Sequence, residues 1–173
     1  MIRMILLIAT FGCVLLTGCR SESEEIPVQT ASKIIIKAAN ADLTTINTPT
    51  DPAIFTGNDI LWFNETTKEL RFQDNISIKP AAFNLPGINF YIDEEYLFSS
   101  MTYVNSSSSQ TFNSLVLYYD ILGNKYYLTD GYPEVSVLSD PQKAQEQRNE
   151  NMQKITAEWN IFIEQLKKED KYK

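Results

Sequence analysis

Between residues 33 and 129 apolar and polar side chains alternate in short runs, and after residue 141 the apolar ones recur at helical spacing. Alternation means strands with one face covered, and a 3.6-residue recurrence means an amphipathic helix. The first predicted strand is Lys33 to Ala38, three isoleucines between lysines, a β-branched run suited to a pleated surface. Residues 39–58 hold two prolines and many turn formers and read as an irregular loop. A hairpin follows, in which Ile60 and Trp62 alternate against Leu61 and Phe63, Asn64 to Thr67 turn, and Leu70 and Phe72 alternate with Glu69 and Arg71. Ile76 and Ile78 offer an extension of its second strand, and residues 80–86 read as loop.

Phe90 to Ile92 form a short strand ending at the acidic turn Asp93-Glu94-Glu95. Tyr96 to Val104 and Leu115 to Ile121 are two longer strands joined by a serine-rich tip, and Gly123-Asn124 signals a two-residue turn into Lys125 to Thr129. Residues 96–129 therefore read as an antiparallel meander. The closing segment predicts one helix over about 141–170, capped near Ser139-Asp140-Pro141, with Met152, Ile155, Trp159, Phe162, Ile163 and Leu166 on one face. Its first half, QKAQEQRNEN, is almost free of apolar side chains and reads as exposed. The fold class is α+β: an antiparallel β-sheet of hairpins and a meander, with one C-terminal amphipathic helix packed on it.

The opening residues obey a different pattern. Arg3 precedes an apolar run from Met4 to Leu16, the length of a signal peptide and shorter than the roughly 20 residues a spanning helix needs. The run ends in Leu16-Thr17-Gly18-Cys19, which resembles the lipobox of bacterial lipoproteins: an aliphatic residue, two small ones and a cysteine. The resemblance covers about the first twenty residues. It implies thioether lipidation of Cys19, cleavage between Gly18 and Cys19, and acylation of the new amino terminus. A Cys13–Cys19 disulfide is the competing reading, against which Cys13 lies in the segment to be removed.

Residues 1–18 are thus a cleaved signal peptide, 19–32 a lipidated polar tether, and 33–173 a single globular domain. A coil of that tether's length spans about 20 Å. Arg20 after the cysteine, rather than aspartate, favours the outer membrane within the cell envelope. The acidic Glu22, Glu24 and Glu25 leave open whether the domain faces the periplasm or the cell surface. Beyond the lipobox, the mature domain resembles no characterised family and looks like a small Gram-negative outer-membrane lipoprotein.

Charge and composition narrow the chemistry. The formal charge of −7 becomes −8 once Arg3 leaves with the signal peptide, so nucleic acid is a disfavoured partner. The chain has no histidine, and its two cysteines both lie within the first 19 residues. Ser-His-Asp and Cys-His sites, and the usual zinc sites, therefore cannot be assembled in the mature domain. There is no phosphate-cradling glycine loop. The sequence leans away from an enzyme and predicts no catalytic residue, metal or cofactor.

Four tyrosines are the candidate ligand site. Tyr118 and Tyr119 are neighbours on one strand, as are Tyr126 and Tyr127 on the next, so each pair sends one ring to each face. An outward pair would make a platform for a protein or glycan partner, and cross-strand packing is the competing reading. The Asp93-Glu94-Glu95 turn, with Asp120 or Asp130, is a candidate calcium site whose competing reading is a solvated turn; no EF-hand loop supports it. The function expected is a membrane-anchored, non-enzymatic binding or scaffolding module; the alternative is a small carboxylate-dependent hydrolase of glycan or cell wall.

Overall fold

The computed structural model describes residues 31–39, 51–73, 83–105 and 110–173. The expectations for the signal peptide, Gly18, Cys19 and Ile76/Ile78 lie outside the described residues, as does most of the tether. Residues 31–173 make one compact unit of mixed α+β type. Among the described residues no helix is long and apolar enough to cross a membrane.

The described residues hold eight strands: β1 (Ile34–Ala39), β2 (Ala53–Thr56), β3 (Ile60–Phe63), β4 (Leu70–Phe72), β5 (Gly87–Ile92), β6 (Glu95–Asn105), β7 (Val116–Asp120) and β8 (Lys125–Thr129). Six form a sheet in the order β2-β1-β5-β6-β7-β8, and β3 and β4 form a separate hairpin. Two strand pairs of the sheet carry register irregularities, at Ile36/Lys37 and Phe90/Tyr91, which sharpen its curl. The hairpin meets the β8 edge through a Glu69–Tyr127 bridge, where the Leu128 amide donates to the Lys68 carbonyl at 2.9 Å. A salt bridge from Lys125 Nζ to Glu69 Oε2, 2.8 Å, reinforces that seam.

Four expectations are corrected. Residues 39–58 are not wholly irregular: Ala53–Thr56 pair with β1, Phe55 opposite Ile36, and a 3₁₀ turn over Gly57–Asp59 leads into β3. Residues 96–129 are not a pure meander, because β6 and β7 run parallel, Tyr103 beside Tyr118. The chain returns along the sheet before β7 begins, and two features hold that return. Phe112 and Tyr132 exchange both backbone hydrogen bonds, at 2.7 and 3.0 Å, and the Met101 amide donates to the Leu115 carbonyl at 3.0 Å. The β7–β8 turn is also longer than the expected Gly-Asn pair. Ile121 to Asn124 all lie in it, and Asn124 rather than glycine takes the positive φ of 52°. The Asp120 carboxylate accepts from the Leu122 and Gly123 amides at 3.2 and 3.1 Å and so shapes the tip.

The fourth correction concerns the helix, which is two: α1 (Pro141–Lys154) and α2 (Thr156–Lys168), divided at Ile155. Asp140 caps α1 by accepting from the Lys143 amide at 3.1 Å. At the break the Ile155 amide turns back to the Met152 carbonyl, 3.1 Å, and the Thr156 hydroxyl donates to the same oxygen at 3.0 Å. Such back-bonding by threonine bends helices. The break lets the halves bury different faces, Ala144 and Arg148 on α1 and Phe162, Ile163 and Leu166 on α2. The first half is therefore not simply exposed.

The core lies between the sheet and α2. Phe162 sits edge-on to Phe90 and Phe98, with centroids 5.4 and 5.6 Å apart, and Trp159 bridges Phe63 and Phe98 at 5.9 and 5.7 Å. Ile34, Ile36, Ile60, Leu70, Ile88, Leu117 and Leu128 are among its other fully buried members. After α2 the chain doubles back beside β3: the Phe63 amide donates to the Lys171 carbonyl at 2.8 Å, and the Lys173 amide to the Phe63 carbonyl at 2.9 Å. The acidic turn is tied to the first strand, where Lys33 Nζ donates to the Asp93 carboxylate.

Candidate functional site

The register of β7 and β8 decides the four tyrosines. Tyr118 stands opposite Tyr127, and Tyr119 opposite Tyr126. Leu117 and Leu128 are core residues, so the positions beside them in the pleat divide the tyrosines between the faces. Tyr119 and Tyr126 form the inner pair, 4.9 Å apart. Tyr126 sits edge-on to Phe72 at 5.1 Å and stacks on Phe83 at 5.9 Å, and the Tyr119 hydroxyl donates to Asn124 Oδ1 at 2.7 Å. Burial and the neighbouring Tyr119 push the Tyr126 phenol above its ordinary pKa.

Tyr118 and Tyr127 form the outer pair, stacked 5.0 Å apart at 18°. The row continues from Tyr118 to Tyr132 at 4.9 Å and from Tyr132 to Tyr103 at 4.9 Å. Tyr118, Tyr127 and Tyr132 border a cavity of about 530 Å³, within the range of small-molecule sites. Its other walls are the hairpin turn Thr66 to Lys68, the loop Thr129 to Glu134, Val137, and Arg148 from α1. A second cavity of about 210 Å³, with Met152 and Trp159 in its wall, adjoins it in sequence and shares Lys68 and Asp130.

The loop beneath the cleft is held on both sides. The Thr129 hydroxyl donates to the Gly131 carbonyl at 2.6 Å, and the Tyr132 hydroxyl donates to Asn105 Oδ1 at 2.8 Å. Gly131 has no room for a side chain, since a Cβ there would stand 2.3 Å from Arg148 Nε and 2.6 Å from the Phe112 carbonyl oxygen. Arg148, only 3% exposed, donates from Nη2 to the Pro133 carbonyl at 2.7 Å and from Nε to Asn113 Oδ1 at 3.3 Å. Its Nη1 has no partner among the described residues. Burial lowers the guanidinium pKa, and the Asp130 charge acts against that fall.

The Tyr118 phenol is pushed up to about 12, by burial first and then by Tyr127 and Asp120. Burial likewise raises Tyr132. Tyr118 is therefore a neutral hydroxyl at neutral pH, and among the described residues neither it nor Tyr127 spends its hydroxyl on a hydrogen bond. The arrangement offers an aromatic wall, neutral hydroxyls, two cationic side chains (Lys68, Arg148) and two carboxylates (Asp130, Glu134). No group of three or more His, Cys, Asp or Glu suited to a metal occurs among the described residues.

Of the predicted four, then, the structure brings Tyr118 and Tyr127 into the cleft and packs Tyr119 and Tyr126 against the aromatic residues of the other face. Sequence reasoning did not single out Arg148, Gly131 or the Thr66–Lys68 turn. One signal for Arg148 was present: it follows Ala144 by four residues, which places both on one helical face. Comparison with protein-family models, with curated proteins and with solved structures finds no match for this chain.

Proposed function

We propose that this chain is a non-enzymatic binding or scaffolding module, anchored by lipid on Cys19 at the outer membrane, whose partner enters the cleft beside Tyr118 and Tyr127. The observation that carries the reading is a walled, polar-aromatic cavity lined by two phenol hydroxyls and a guanidinium nitrogen that have no hydrogen-bond partner among the described residues. The lipobox-like Leu16-Thr17-Gly18-Cys19 and the polar residues behind it support the anchor. A multiply acylated cysteine holds lastingly, whereas a single chain holds only reversibly.

A second reading, hydrolysis of glycan or cell wall by carboxylates, is favoured by one observation: Asp130 and Glu134 line the same cleft. Two measurements separate these ideas. Cys19→Ala should abolish labelling by a fatty-acid probe and leave unprocessed precursor, and persistent labelling refutes the anchor. Incubation with cell-wall and plant oligosaccharides should leave their chain lengths unchanged, whereas shortening that Asp130→Asn or Glu134→Gln removes would establish the hydrolase.

A further inference from the structure

One wall of the cleft is the β3–β4 turn, Thr66 to Lys68, and its support comes from distant parts of the chain. We infer that Glu169 is a clasp, joining the chain's entry into β1 to the closing residues 171–173, which hold that turn in place. A displacement of the chain before Ser32 is thereby felt at the cleft, whatever the guest and whether or not Cys19 carries lipid.

The turn needs outside support. The β3–β4 hairpin stands apart from the six-stranded sheet, and a two-stranded hairpin alone is marginal in water. Phe63, Leu70 and Phe72 bury its strands in the core, whereas Glu65, Thr66 and Thr67 are exposed. The turn is therefore positioned by its two borders. Toward β8 these are the Leu128–Lys68 backbone bond, the Glu69–Tyr127 bridge and the Lys125–Glu69 salt bridge. On the far side residues 171–173 run beside β3 like an added strand, and the Glu65 amide donates to the Lys173 carbonyl at 3.1 Å. The Tyr172 hydroxyl donates to the Glu65 carboxylate at the same border.

Glu169 holds that added strand at its root. Its carboxylate accepts from Gln165 Nε2 at 2.8 Å and from Lys171 Nζ at 3.1 Å, and Lys171 Nζ donates as well to the Gly57 carbonyl. The same carboxylate accepts from the Lys33 backbone amide at 3.2 Å. The Glu169 and Lys171 side chains are each 14% exposed, so salt screens this pair far less than a surface ion pair. Burial works to raise the Glu169 pKa, and hydrogen bonds from Gln165, Ser32 and Lys171 hold it below the ordinary carboxylate value. At neutral pH the group is thus an ionised acceptor, and bonds to such a group are the strong ones.

The entering chain has little slack. The Ser32 amide donates to Asn58 Oδ1 at 3.1 Å, and the Lys33 carbonyl accepts from the Asp93 amide at 3.1 Å. A Cβ at Gly57 would stand 1.9 Å from Ser32 Oγ, so the 3₁₀ turn lies directly against this segment. Close packing passes a displacement on instead of absorbing it. Moving Ser32 or Lys33 therefore shifts Glu169 or the 3₁₀ turn, and Lys171 is bonded to both.

The test is amide hydrogen exchange on the full chain in detergent micelles, read residue by residue. Glu169→Ala cuts the clasp at its centre, and Asn58→Ala, at an exposed side chain, loosens only the entering chain. Both should speed exchange at the Phe63, Glu65 and Leu128 amides, whose acceptors are Lys171, Lys173 and Lys68. The rise should be about tenfold or more for Glu169→Ala, which strips several bonds to a charged group, and smaller for Asn58→Ala. The Phe90 and Phe98 amides of the main sheet should keep their rates. Faster exchange confined to Ser32, Lys33 and Ile34, or unchanged exchange throughout, overturns the inference, because the entry would then be a separate contact. A uniform rise that includes Phe90 and Phe98 also overturns it, as a general loss of stability. Where Glu169→Ala does not fold, Asn58→Ala decides by the same amides. No partner is added, so failure of the binding-module reading leaves every one of these outcomes unaffected.

Discussion

Two tyrosine pairs one residue apart show what a strand pattern decides and what it leaves to the rest of the molecule. Tyr119–Tyr126 and Tyr118–Tyr127 share residue type, strand pair and ring separation, 4.9 and 5.0 Å. The inner pair is absorbed into packing: Tyr119 is 6% exposed, and Phe72 and Phe83 close over Tyr126. The outer pair lines the cleft, flanked by Tyr132 beside Tyr118 and by the Glu69 bridge beside Tyr127. The same ring pairing is thus a packing contact on one face and part of a cavity wall on the other.

The sharpest way to break the comparison is to truncate both pairs. Tyr119→Ala should cost about 3–4 kcal/mol in urea unfolding, since it opens a cavity in a packed face and removes the Asn124 hydrogen bond. Tyr127→Ala should cost only about 1 kcal/mol, because it loses one cross-strand ring contact beside solvent. Equal costs would mean that the outer pair is also structural. Next in size is Gly131→Ala, expected at about 2 kcal/mol because its methyl group meets the Arg148 guanidinium and the Phe112 carbonyl. Arg148→Met should relieve that clash in the double variant, so a measured cycle that is strictly additive would sever the proposed contact.

Much of this contrast was legible in the chain. Adjacent tyrosines had to point to opposite faces, and the β3–β4 hairpin, the β5 to β8 strands and the apolar stripe of α2 follow from local period. Three features depend on partners distant in sequence. The parallel β6–β7 pairing rests on the Phe112–Tyr132 exchange, twenty residues apart. Strand β2 is four residues long and is defined by its bonds to β1 rather than by its own pattern. Helix α1 buries an arginine whose acceptors, Pro133 and Asn113, come from loops. For the same reason the cleft could be half seen: its tyrosines belong to strands, while its other walls are turns and a polar helix face.

A smaller effect should come from the turn that keeps both pairs in register. Asp120→Ala removes the acceptor of the Leu122 and Gly123 amides and should cost about 1 kcal/mol. The turn also presents Leu122, 96% exposed, so the loss is of shape and not of burial. Hydrogen exchange should accelerate at residues 121–124 before it does so at Tyr118 or Tyr127. Simultaneous acceleration throughout β7 and β8 would mean that the turn, and not the ring stacks, holds the strands together.

The smallest effect at neutral pH is expected from Tyr118→Phe, and its value lies in its pH dependence. The hydroxyl makes no hydrogen bond among the described residues, so stability at pH 7 should be almost unchanged. Burial, Tyr127 and Asp120 raise its pKa from 10.0 to about 12. An acid whose folded pKa is raised favours the folded state while it stays protonated. That contribution is complete below pH 10 and is lost as the pH rises from 10 to 12, where the unfolded chain has released a proton that the folded chain retains. Wild type should therefore lose stability relative to Tyr118→Phe across that window, and a tyrosinate absorbance step near pH 12 should vanish from the variant. A Tyr118 step near pH 10 would mean that the outer stack is as wet as a surface tyrosine, and that the wall of the cleft is less enclosed than the inner pair it mirrors.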